Sequence, residues 1–599
     1  MASGSTTSDL IVERLLEWGV DTCFGICGDQ VNGFFEAMRT RADRFRFVHV
    51  RHEESAALAA VGHAKFTGRP AAVVTTAGPG ALHLLNGLYD ARMDGAPVIV
   101  ITGLPYHDVL GTHMLQDVPS DRLFEHVCPF NERVMGRAHA VAMTDLAVRS
   151  ALQNRTPSHL AIPLDVQSMT EDTPSPKNVP DHLSTAWSPA ALTPPADLVH
   201  AAADLLNACD RVAICAGAGA RGAGDVLEVI ADSLGAPIVK AGLGKAVVPD
   251  DSPFTTGGMG LLGTRASQEV FEQCNGFLIV GSATPYAEFW PKPGQARTVQ
   301  IDVNGDRIGL RHPVEIALVG HAEPTLTALL PLVHERRDRS FLEQAQRGVL
   351  RWWELLQEQA NSSGSPIRPQ VVTVALSELL PDRAIVTGDA GSNTFVSHRL
   401  RLRRGMDYGF SGTLCTMGSA VPYAIGAQIA FPQRPVVAVV GDGGMAMGMG
   451  ELATLAQYQL PITVVVLRNN ALALEIWEQA ALLGNPQYGC ELSPVDFAGV
   501  ARACGLESWS VSEPCDVRAA LAAALTHNGP SLVEVVVDPF EAPFGETLKP
   551  EQAQRIVEAF DKGEPAAGAM ARNLLDPARR VLSPAVQAAA KDFERYVNH

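Results

Sequence analysis

The sequence predicts an α/β protein with three doubly wound parallel-sheet domains and a C-terminal tail. Short β-branched runs, each followed by a glycine-rich turn and a helical pattern, recur through most of the 599 residues, and this order is typical of parallel α/β units. Polar stretches rich in Pro and Ser at 173–195 and 361–368 interrupt the pattern. The length suits three or four globular units of about 150 residues each. The predicted boundaries are 1–180, 190–350 and 366–540 for the domains and 541–599 for the tail.

Each section has its own strand candidates. Those of the first domain are 72–76, 97–102 and 159–163, with a helix predicted at 54–65. Those of the second are 211–215, 237–239, 277–280 and 298–302, with a polar helix at 339–360. Those of the third are 383–387, 435–440, 462–467 and 531–537. The tail contains amphipathic stretches at 551–560 and 584–596.

Composition excludes several classes of protein. Lys and Arg number 47 and Asp and Glu number 65, so the net charge is −18, with a sequence pI near 5.4. That balance argues against a nucleic-acid binder or a binder of anionic membranes, since both need a basic field. The N-terminus lacks a signal-peptide pattern, and no apolar run approaches the ~20 residues that span a bilayer. We expect a soluble, cytoplasmic protein whose ten cysteines are reduced.

The most informative motif follows the strand candidate at 435–440. There Gly441-Asp442-Gly443-Gly444 leads into a predicted helix at 449–459. Glycines at such a turn let backbone N–H groups approach a phosphate, although many similar turns only reverse the chain. Asn469 follows the strand at 462–467, and carboxyl ends of neighbouring parallel strands meet in one crevice. A carboxylate, an amide oxygen and diphosphate oxygens together suit Mg²⁺.

This spacing of Gly-Asp-Gly and Asn-Asn resembles the signature of thiamine-diphosphate enzymes. The resemblance implies a pyrimidine-binding domain, a middle domain and a diphosphate-binding domain, in that order. It implies metal ligation by Asp442, Asn469 and the backbone carbonyl of Ala471, and it makes Met417 the bulky residue that bends the cofactor. The remaining diphosphate-side positions that it implies are Ala390, Gly391, Gly441, Gly443, Gly444 and Leu474.

Glu53 is the candidate for the acid that activates the cofactor. It lies in Arg-His-Glu-Glu before a run of small apolar residues, and acids are also common at helix N-termini without any catalytic role. The family's catalytic glutamate matches Glu53, and the apolar run would supply a water-poor environment for proton exchange with the aminopyrimidine. The glycine turns at 25–33 and 76–80 are similar to those that line the pyrimidine pocket. The implied pocket residues are Gly28, Asn32, Thr76, Pro79 and Asn86.

Within the family, the sequence is most similar to pyruvate oxidases and the quinone-reducing pyruvate dehydrogenase. The middle domain carries this likeness, because its glycine-rich segments match in order those that hold FAD. The implied flavin-site residues are Gly217, Gly219, Arg221, Gly281 and Asp302. Glycine-rich strand ends can approach a pyrophosphate, and Arg221 could pair with it. The alternative is a scaffold that keeps this shape with an empty site, as in FAD-free relatives.

Two positions depart from the flavin-dependent pattern. Leu115 stands where those relatives have Phe, and Ala473 and Leu474 stand where an aromatic residue or Met is usual. These positions line the gap between thiazolium and flavin, so the changes affect the expected electron transfer. Gln116 and Glu478 are retained and are candidates for contact with substrate or intermediate, the alternatives being a buried amide and a surface acid.

These features lead to three functional hypotheses. The first is decarboxylation of pyruvate or a similar 2-oxo acid with thiamine diphosphate and Mg²⁺, with electrons passing through FAD to quinone or oxygen. The second keeps the thiamine chemistry but makes acyloins or acetohydroxy acids without a redox step. The third is a catalytically silent paralogue. The resemblance also implies a homodimer or homotetramer, and a tail similar to a lipid-binding element through which a membrane surface could be contacted.

Overall fold

The computed structural model describes residues 4–171, 173–179, 182–391, 393–544, 547–576 and 583–598. Residues 180 and 181 of the predicted first linker and 577–582 of the tail lie outside this description. The chain forms three sheets of six strands each, taken from successive sections of the sequence. Every strand pair in them is parallel. The predicted fold class is therefore confirmed.

The N-terminal sheet has the strand order β2-β1-β3-β4-β6-β5. Its strands are β1 (Thr22–Gly25), β2 (Arg46–His49), β3 (Ala71–Thr75), β4 (Val98–Leu104), β5 (Phe130–Arg133) and β6 (Pro157–Pro163). Its helices are α1 (Thr7–Glu17), α2 (Asn32–Arg39), α3 (Glu53–Thr67), α4 (Pro79–His83), α5 (Leu85–Asp94), α6 (Ser120–Leu123), α7 (Arg137–Asn154) and α8 (Leu164–Gln167). Strand β4 is buried along its whole length, which explains its continuous apolar sequence.

The middle sheet has the order β12-β11-β10-β7-β8-β9. Its strands are β7 (Val212–Ala216), β8 (Ile238–Lys240), β9 (Thr255–Gly258), β10 (Gly276–Val280), β11 (Arg297–Asp302) and β12 (Ile316–Val319). Its helices are α9 (Ala196–Asn207), α10 (Gly224–Leu234), α11 (Arg265–Gln273), α12 (Ala322–Leu329) and α13 (Ser340–Ala360). The four strands predicted in this section are β7, β8, β10 and β11.

The C-terminal sheet has the order β14-β13-β15-β16-β18-β17. Its strands are β13 (Ile385–Gly388), β14 (Asp407–Gly409), β15 (Val436–Gly441), β16 (Ile462–Arg468), β17 (Glu507–Val511) and β18 (Ser531–Val536). Its helices are α14 (Pro369–Leu379), α15 (Asn393–Arg399), α16 (Ala420–Ala430), α17 (Asp442–Gly448), α18 (Glu451–Gln457), α19 (Ala473–Leu483), α20 (Phe497–Cys504) and α21 (Pro514–Thr526). The helix expected at 449–459 is α18, and the short helix α17, which begins at Asp442, precedes it.

The N-terminal and C-terminal domains share one hydrophobic core, centred on the contact between α3 and α16. Glycines allow these helices to approach closely. A Cβ on Gly62 would lie 2.6 Å from the Cα of Tyr423, and a Cβ on Gly426 would lie 2.0 Å from the carbonyl oxygen of Ala59. Both distances are shorter than side-chain contacts allow, so larger residues would separate the domains.

The tail packs on α19 of the C-terminal domain. Its helices are α22 (Pro550–Asp561), α23 (Ala567–Leu574) and α24 (Pro584–Glu594). Their apolar residues form one buried cluster with Trp477 and Ala480. Glu564 accepts hydrogen bonds from the backbone N–H of Gln487 at 2.7 Å and from its side-chain amide at 2.9 Å. The apolar faces of the described tail helices are thus used in packing within the chain.

Two further expectations can be compared with the structure. The spacing of the cysteines predicts buried, reduced thiols; all ten are free, but Cys27, Cys415 and Cys515 are exposed. Within the described parts of the chain, the helices are all too short or too polar to cross a lipid bilayer.

Candidate active site

The carboxyl edge of the C-terminal sheet brings the predicted metal ligands together. Asp442 Oδ1 accepts from the backbone N–H of Gly443 at 2.9 Å, and its Oδ2 accepts from those of Asn469 at 2.9 Å and Asn470 at 2.5 Å. The Asn469 side-chain oxygen accepts from the backbone N–H of Ala471 at 3.0 Å. Burial raises the pKa of Asp442 despite these donors. A divalent cation would offset that cost, and the oxygen donors present suit Mg²⁺.

Asp442 lies in a cavity of about 110 Å³. The predicted diphosphate-side residues among its lining are Ala390, Gly391, Met417, Gly441, Gly443, Gly444, Asn469, Ala471 and Leu474. Gly443 lies directly below Met417, because a Cβ on Gly443 would be 3.0 Å from the Met417 Cε. All lining residues of this cavity come from the section between Pro369 and Pro543.

Asp389, which sequence reasoning missed, organises the floor of this cavity. Its carboxylate accepts from the backbone N–H groups of Ala390 at 2.9 Å, Gly418 at 3.1 Å and Ser419 at 3.2 Å. Burial raises its pKa to about 6. A Cβ on Gly444 would lie 1.9 Å from its Oδ2, so only glycine fits there. The available signal was that Asp389 follows strand β13, as Asp442 follows β15.

Glu53 is the first residue of α3 and is almost buried, with 9% of its surface exposed. Its Oε2 lies 2.9 Å from His83 Nδ1. The ring of His83 stacks on that of His52, with centroids 4.5 Å apart and planes inclined by 28°. His52 Nδ1 accepts from the backbone N–H of Glu54 at 3.2 Å, so one ring nitrogen of this His-Glu-His cluster is already used within the chain. Sequence reasoning did not identify His83.

The other predicted pyrimidine-side residues lie in the N-terminal domain with Glu53. A Cβ on Gly80 would lie 3.3 Å from Glu53 Oε1, and one on Gly28 would lie 2.5 Å from the Thr76 Cβ. Pro79 and Asn32 begin α4 and α2. Gln116 packs under Gly78, where a glycine Cβ would be 2.8 Å from its Cβ. It also accepts a hydrogen bond from Gln30 at 3.3 Å.

Asn86, another predicted pyrimidine-side residue, bonds to residues of both terminal domains. Its side-chain nitrogen donates to Glu54 Oε1 at 2.5 Å and to Thr416 Oγ1 at 2.8 Å. Both amide hydrogens are therefore used within the chain, and Asn86 connects the two terminal domains. Glu54, the neighbour of Glu53 in sequence, thus has a structural hydrogen bond.

A larger cavity of about 520 Å³ lies between all three domains. Gly217 and Gly281 line it, as the flavin-site expectation requires, and so do Glu478, Leu474 and Gly391. The last two residues also line the smaller cavity, so the two cavities adjoin there. Burial raises the pKa of Glu478, assisted by the nearby Glu475.

The remaining flavin-site residues do not line this cavity. Arg221 donates to the carbonyl oxygens of Lys65 at 2.6 Å and Tyr408 at 3.0 Å. Gly219 packs against Gly281, and Asp302 accepts from the backbone N–H of Asn304 at 2.9 Å. The cationic side chains at the cavity are instead Arg92, Arg307 and Arg311.

Comparison with known proteins agrees with this arrangement. Residues 5–123 match the N-terminal TPP binding domain of thiamine pyrophosphate enzymes, residues 199–329 the central domain, and residues 389–535 the C-terminal TPP binding domain. The chain is 34% identical over 533 residues to YdaP of Bacillus subtilis, whose name describes it as thiamine pyrophosphate-containing; the match covers 89% of this chain and 92% of that protein.

Two further relatives have more specific names. The pyruvate oxidase of Lactiplantibacillus plantarum is 29% identical over 534 residues, covering 88% of each chain. The large subunit of acetolactate synthase isozyme 1 of Escherichia coli is 26% identical over 555 residues, covering 90% of this chain and 96% of that protein.

Proposed function

Because the chain belongs to the thiamine pyrophosphate enzyme family, we propose that it decarboxylates pyruvate or a similar 2-oxo acid and passes two electrons through FAD to quinone or oxygen. The observation that carries this proposal is the shared wall of the two cavities at Gly391 and Leu474. A cofactor in the smaller cavity and a flavin in the larger one would be neighbours across that wall.

The residues of the smaller cavity fit thiamine diphosphate with a metal ion. When bound, the cofactor supplies a carbanion and an electron sink for decarboxylation. Asp442, Asn469 and the carbonyl of Ala471 would hold Mg²⁺, and the backbone of Gly443 and Gly444, which lines the cavity, would face a diphosphate. Met417 fills the space above Gly443 and would limit the cofactor's conformation.

Glu53 and Glu478 would handle protons. The contact of Glu53 Oε2 with His83 leaves Oε1 on the side of Gly80 as the oxygen for exchange with an aminopyrimidine nitrogen. Burial favours the protonated form of Glu478, which suits an acid beside a reacting carboxylate. Gln116 lies with Glu53 in the N-terminal domain and would contact the substrate from that side.

The larger cavity fits a dinucleotide in its charges. Arg92, Arg307 and Arg311 can offset the charge of a pyrophosphate, and Gly217 and Gly281 permit close approach of the backbone. These arginines would take the role expected for Arg221, whose guanidinium binds backbone carbonyls.

A second subunit would complete the site. The smaller cavity is lined only by residues from 369 to 543, whereas Glu53 and Gln116 belong to the N-terminal domain and line neither cavity. We propose a homodimer in which the N-terminal domain of one copy covers the smaller cavity of the other, with a tetramer as a larger assembly of the same unit.

One observation favours the non-redox alternative, in which an acyloin or acetohydroxy acid is formed. Ala473 and Leu474 line the smaller cavity where flavin-dependent enzymes have bulkier aromatic or Met side chains, and acetolactate synthases are among the relatives. Smaller side chains there would leave room for a second 2-oxo acid.

Purified protein distinguishes these activities. We expect a yellow protein that bleaches anaerobically on addition of pyruvate and regains its colour with quinone or oxygen. Colourless protein that forms acetoin or acetolactate from pyruvate would contradict the redox proposal. Glu53→Gln should reduce turnover at least ~100-fold while thiamine diphosphate still binds. Glu36→Gln, which alters an exposed glutamate of the same domain paired with Arg39 at 2.8 Å, is its control. Activity retained in Glu53→Gln would refute the assigned acid.

A further inference from the structure

Three polar side chains on one face of α5 hold the segment between β14 and α16, residues 410–418. Asn86, Asp90 and Asp94 are spaced four residues apart, so they share a helix face. Asn86 donates to Thr416 Oγ1 at 2.8 Å. Asp90 accepts from Ser411 Oγ at 2.7 Å.

Asp94 binds the backbone of the same segment. Its two oxygens accept from the N–H groups of Gly412 and Thr413, each at 2.9 Å. Inside the segment, Ser411 Oγ accepts from the backbone N–H of Thr416 at 3.0 Å. These bonds fix the segment at both ends and in the middle.

Lys65 at the end of α3 balances the two acids. Its Nζ donates to Asp94 at 2.6 Å, to the carbonyl oxygen of Phe410 at 2.8 Å and to the Tyr423 hydroxyl at 2.6 Å. The Tyr423 hydroxyl in turn donates to Asp90. The side chains of Lys65, Asp90 and Asp94 are only 9%, 0% and 1% exposed. Although burial acts in the opposite direction, Lys65 holds the pKa of Asp94 below its ordinary value.

The segment held in this way forms part of both cavities. Phe410, Gly412, Thr413 and Cys415 line the larger cavity. Met417 lines the smaller one. A displacement of the segment would therefore change both walls, and it would move Met417 relative to Gly443.

We propose that Lys65 and the polar face of α5 position segment 410–418, and through it Met417, for binding of thiamine diphosphate. Asn86, Asp90, Asp94 and Lys65 are positioning residues, since they act through the segment. The inference needs thiamine diphosphate in the smaller cavity but is independent of FAD and of the electron acceptor.

The test measures the affinity of thiamine diphosphate at fixed Mg²⁺ by calorimetric titration. Ser411→Ala removes the hydrogen bonds of the Ser411 hydroxyl with Asp90 and with the backbone N–H of Thr416. It leaves the ion pair of Lys65 with Asp94 intact. The double variant Lys65→Met with Asp94→Asn removes the closer ion pair as a unit, while the buried Asp90 keeps its hydrogen bonds from Ser411 and the Tyr423 hydroxyl. We expect the dissociation constant to rise about 10-fold in Ser411→Ala and further in the double variant. When thiamine diphosphate is saturating, the kcat of these variants should lie closer to the wild-type value than their dissociation constants do.

The matched control is Asp145→Asn, which breaks the ion pair with Arg14 in the same domain, 2.6 Å apart with side chains 5% and 13% exposed. It should lower the melting temperature without changing cofactor affinity. Wild-type affinity in both Ser411→Ala and the double variant would overturn the proposal, and so would equal weakening in Asp145→Asn. Failure of the wild-type protein to bind thiamine diphosphate would overturn the cofactor assignment and this proposal with it.

Discussion

The two adjoining cavities differ in the charge of their walls. The charged residues described in the lining of the smaller cavity are all acids: Asp442, Glu475, Asp538 and Glu541. The larger cavity has Arg92, Arg307 and Arg311 alongside Asp94 and Glu478. An anionic diphosphate in the smaller cavity would thus meet carboxylates, whereas an anion in the larger cavity would meet guanidinium groups.

This difference implies two ways to bind a pyrophosphate. In the smaller cavity a divalent cation must stand between the carboxylate of Asp442 and the ligand, because like charges at short range repel. In the larger cavity arginines can bind phosphate oxygens directly. The net charge of −18 therefore does not oppose binding of anionic cofactors, since a cation at the smaller cavity and arginines at the larger one would compensate the negative charge locally.

The largest effect that we expect from a single small substitution concerns the smaller cavity. In Gly444→Ala the new Cβ would lie 1.9 Å from Asp389 Oδ2, and Asp389 is held by its own hydrogen bonds to Ala390, Gly418 and Ser419. We expect thiamine diphosphate affinity to fall about 100-fold and stability to fall by about 3 kcal/mol. Calorimetric titration measures the affinity, and thermal unfolding measures the stability.

Gly448→Ala is the control for that substitution, since it changes the same residue type on the same helix. A Cβ there would meet its nearest atom, the carbonyl oxygen of Gly418, at an ordinary 3.7 Å. It should change stability by less than about 1 kcal/mol and leave affinity unaltered. FAD affinity should be nearly unchanged in Gly448→Ala. If Gly444→Ala and Gly448→Ala lost thiamine diphosphate affinity and stability equally, the contact between Gly444 and Asp389 would not be as tight as described.

A smaller effect is expected in the larger cavity. Arg307→Gln should weaken FAD binding about 10-fold, the usual consequence of losing one charged hydrogen bond to a phosphate, and should leave thiamine diphosphate binding unchanged. Flavin fluorescence titration measures the affinity for FAD. Arg297→Gln, which alters an exposed arginine of the same domain paired with Glu315 at 2.8 Å, is the control. Unchanged FAD affinity in Arg307→Gln would remove the proposed role of the arginines.

Sequence reasoning worked best where the signal is local. Strands β4, β15 and β16 are buried on both faces, so their apolar runs were evident. Seven of the described strands were not predicted: the six sheet edges β2, β5, β9, β12, β14 and β17, and the buried four-residue strand β1. Most of these are short or partly exposed, so their apolar signal is weak. Asp442 and Asn469 were found because both follow strong central strands.

The rest depended on tertiary placement. Arg221 follows a glycine turn as a phosphate-binding arginine would, yet its guanidinium reaches carbonyl oxygens of the other two domains. The sequence also contains no sign that the Asn86 amide donates to Thr416, 330 residues away. Such contacts join segments distant in sequence, and a helix pattern shows which residues share a face but not what that face meets.

The most direct test of the difference between the cavities is calorimetric titration of metal-free apoprotein with thiamine diphosphate and, separately, with FAD, each in EDTA and in Mg²⁺. We predict that thiamine diphosphate affinity falls at least ~100-fold in EDTA and returns with Mg²⁺, because the wall of its cavity is acidic. FAD affinity should change less than ~2-fold, since arginines serve that site. Equal thiamine diphosphate binding with and without metal, or loss of FAD binding in EDTA, would contradict the account.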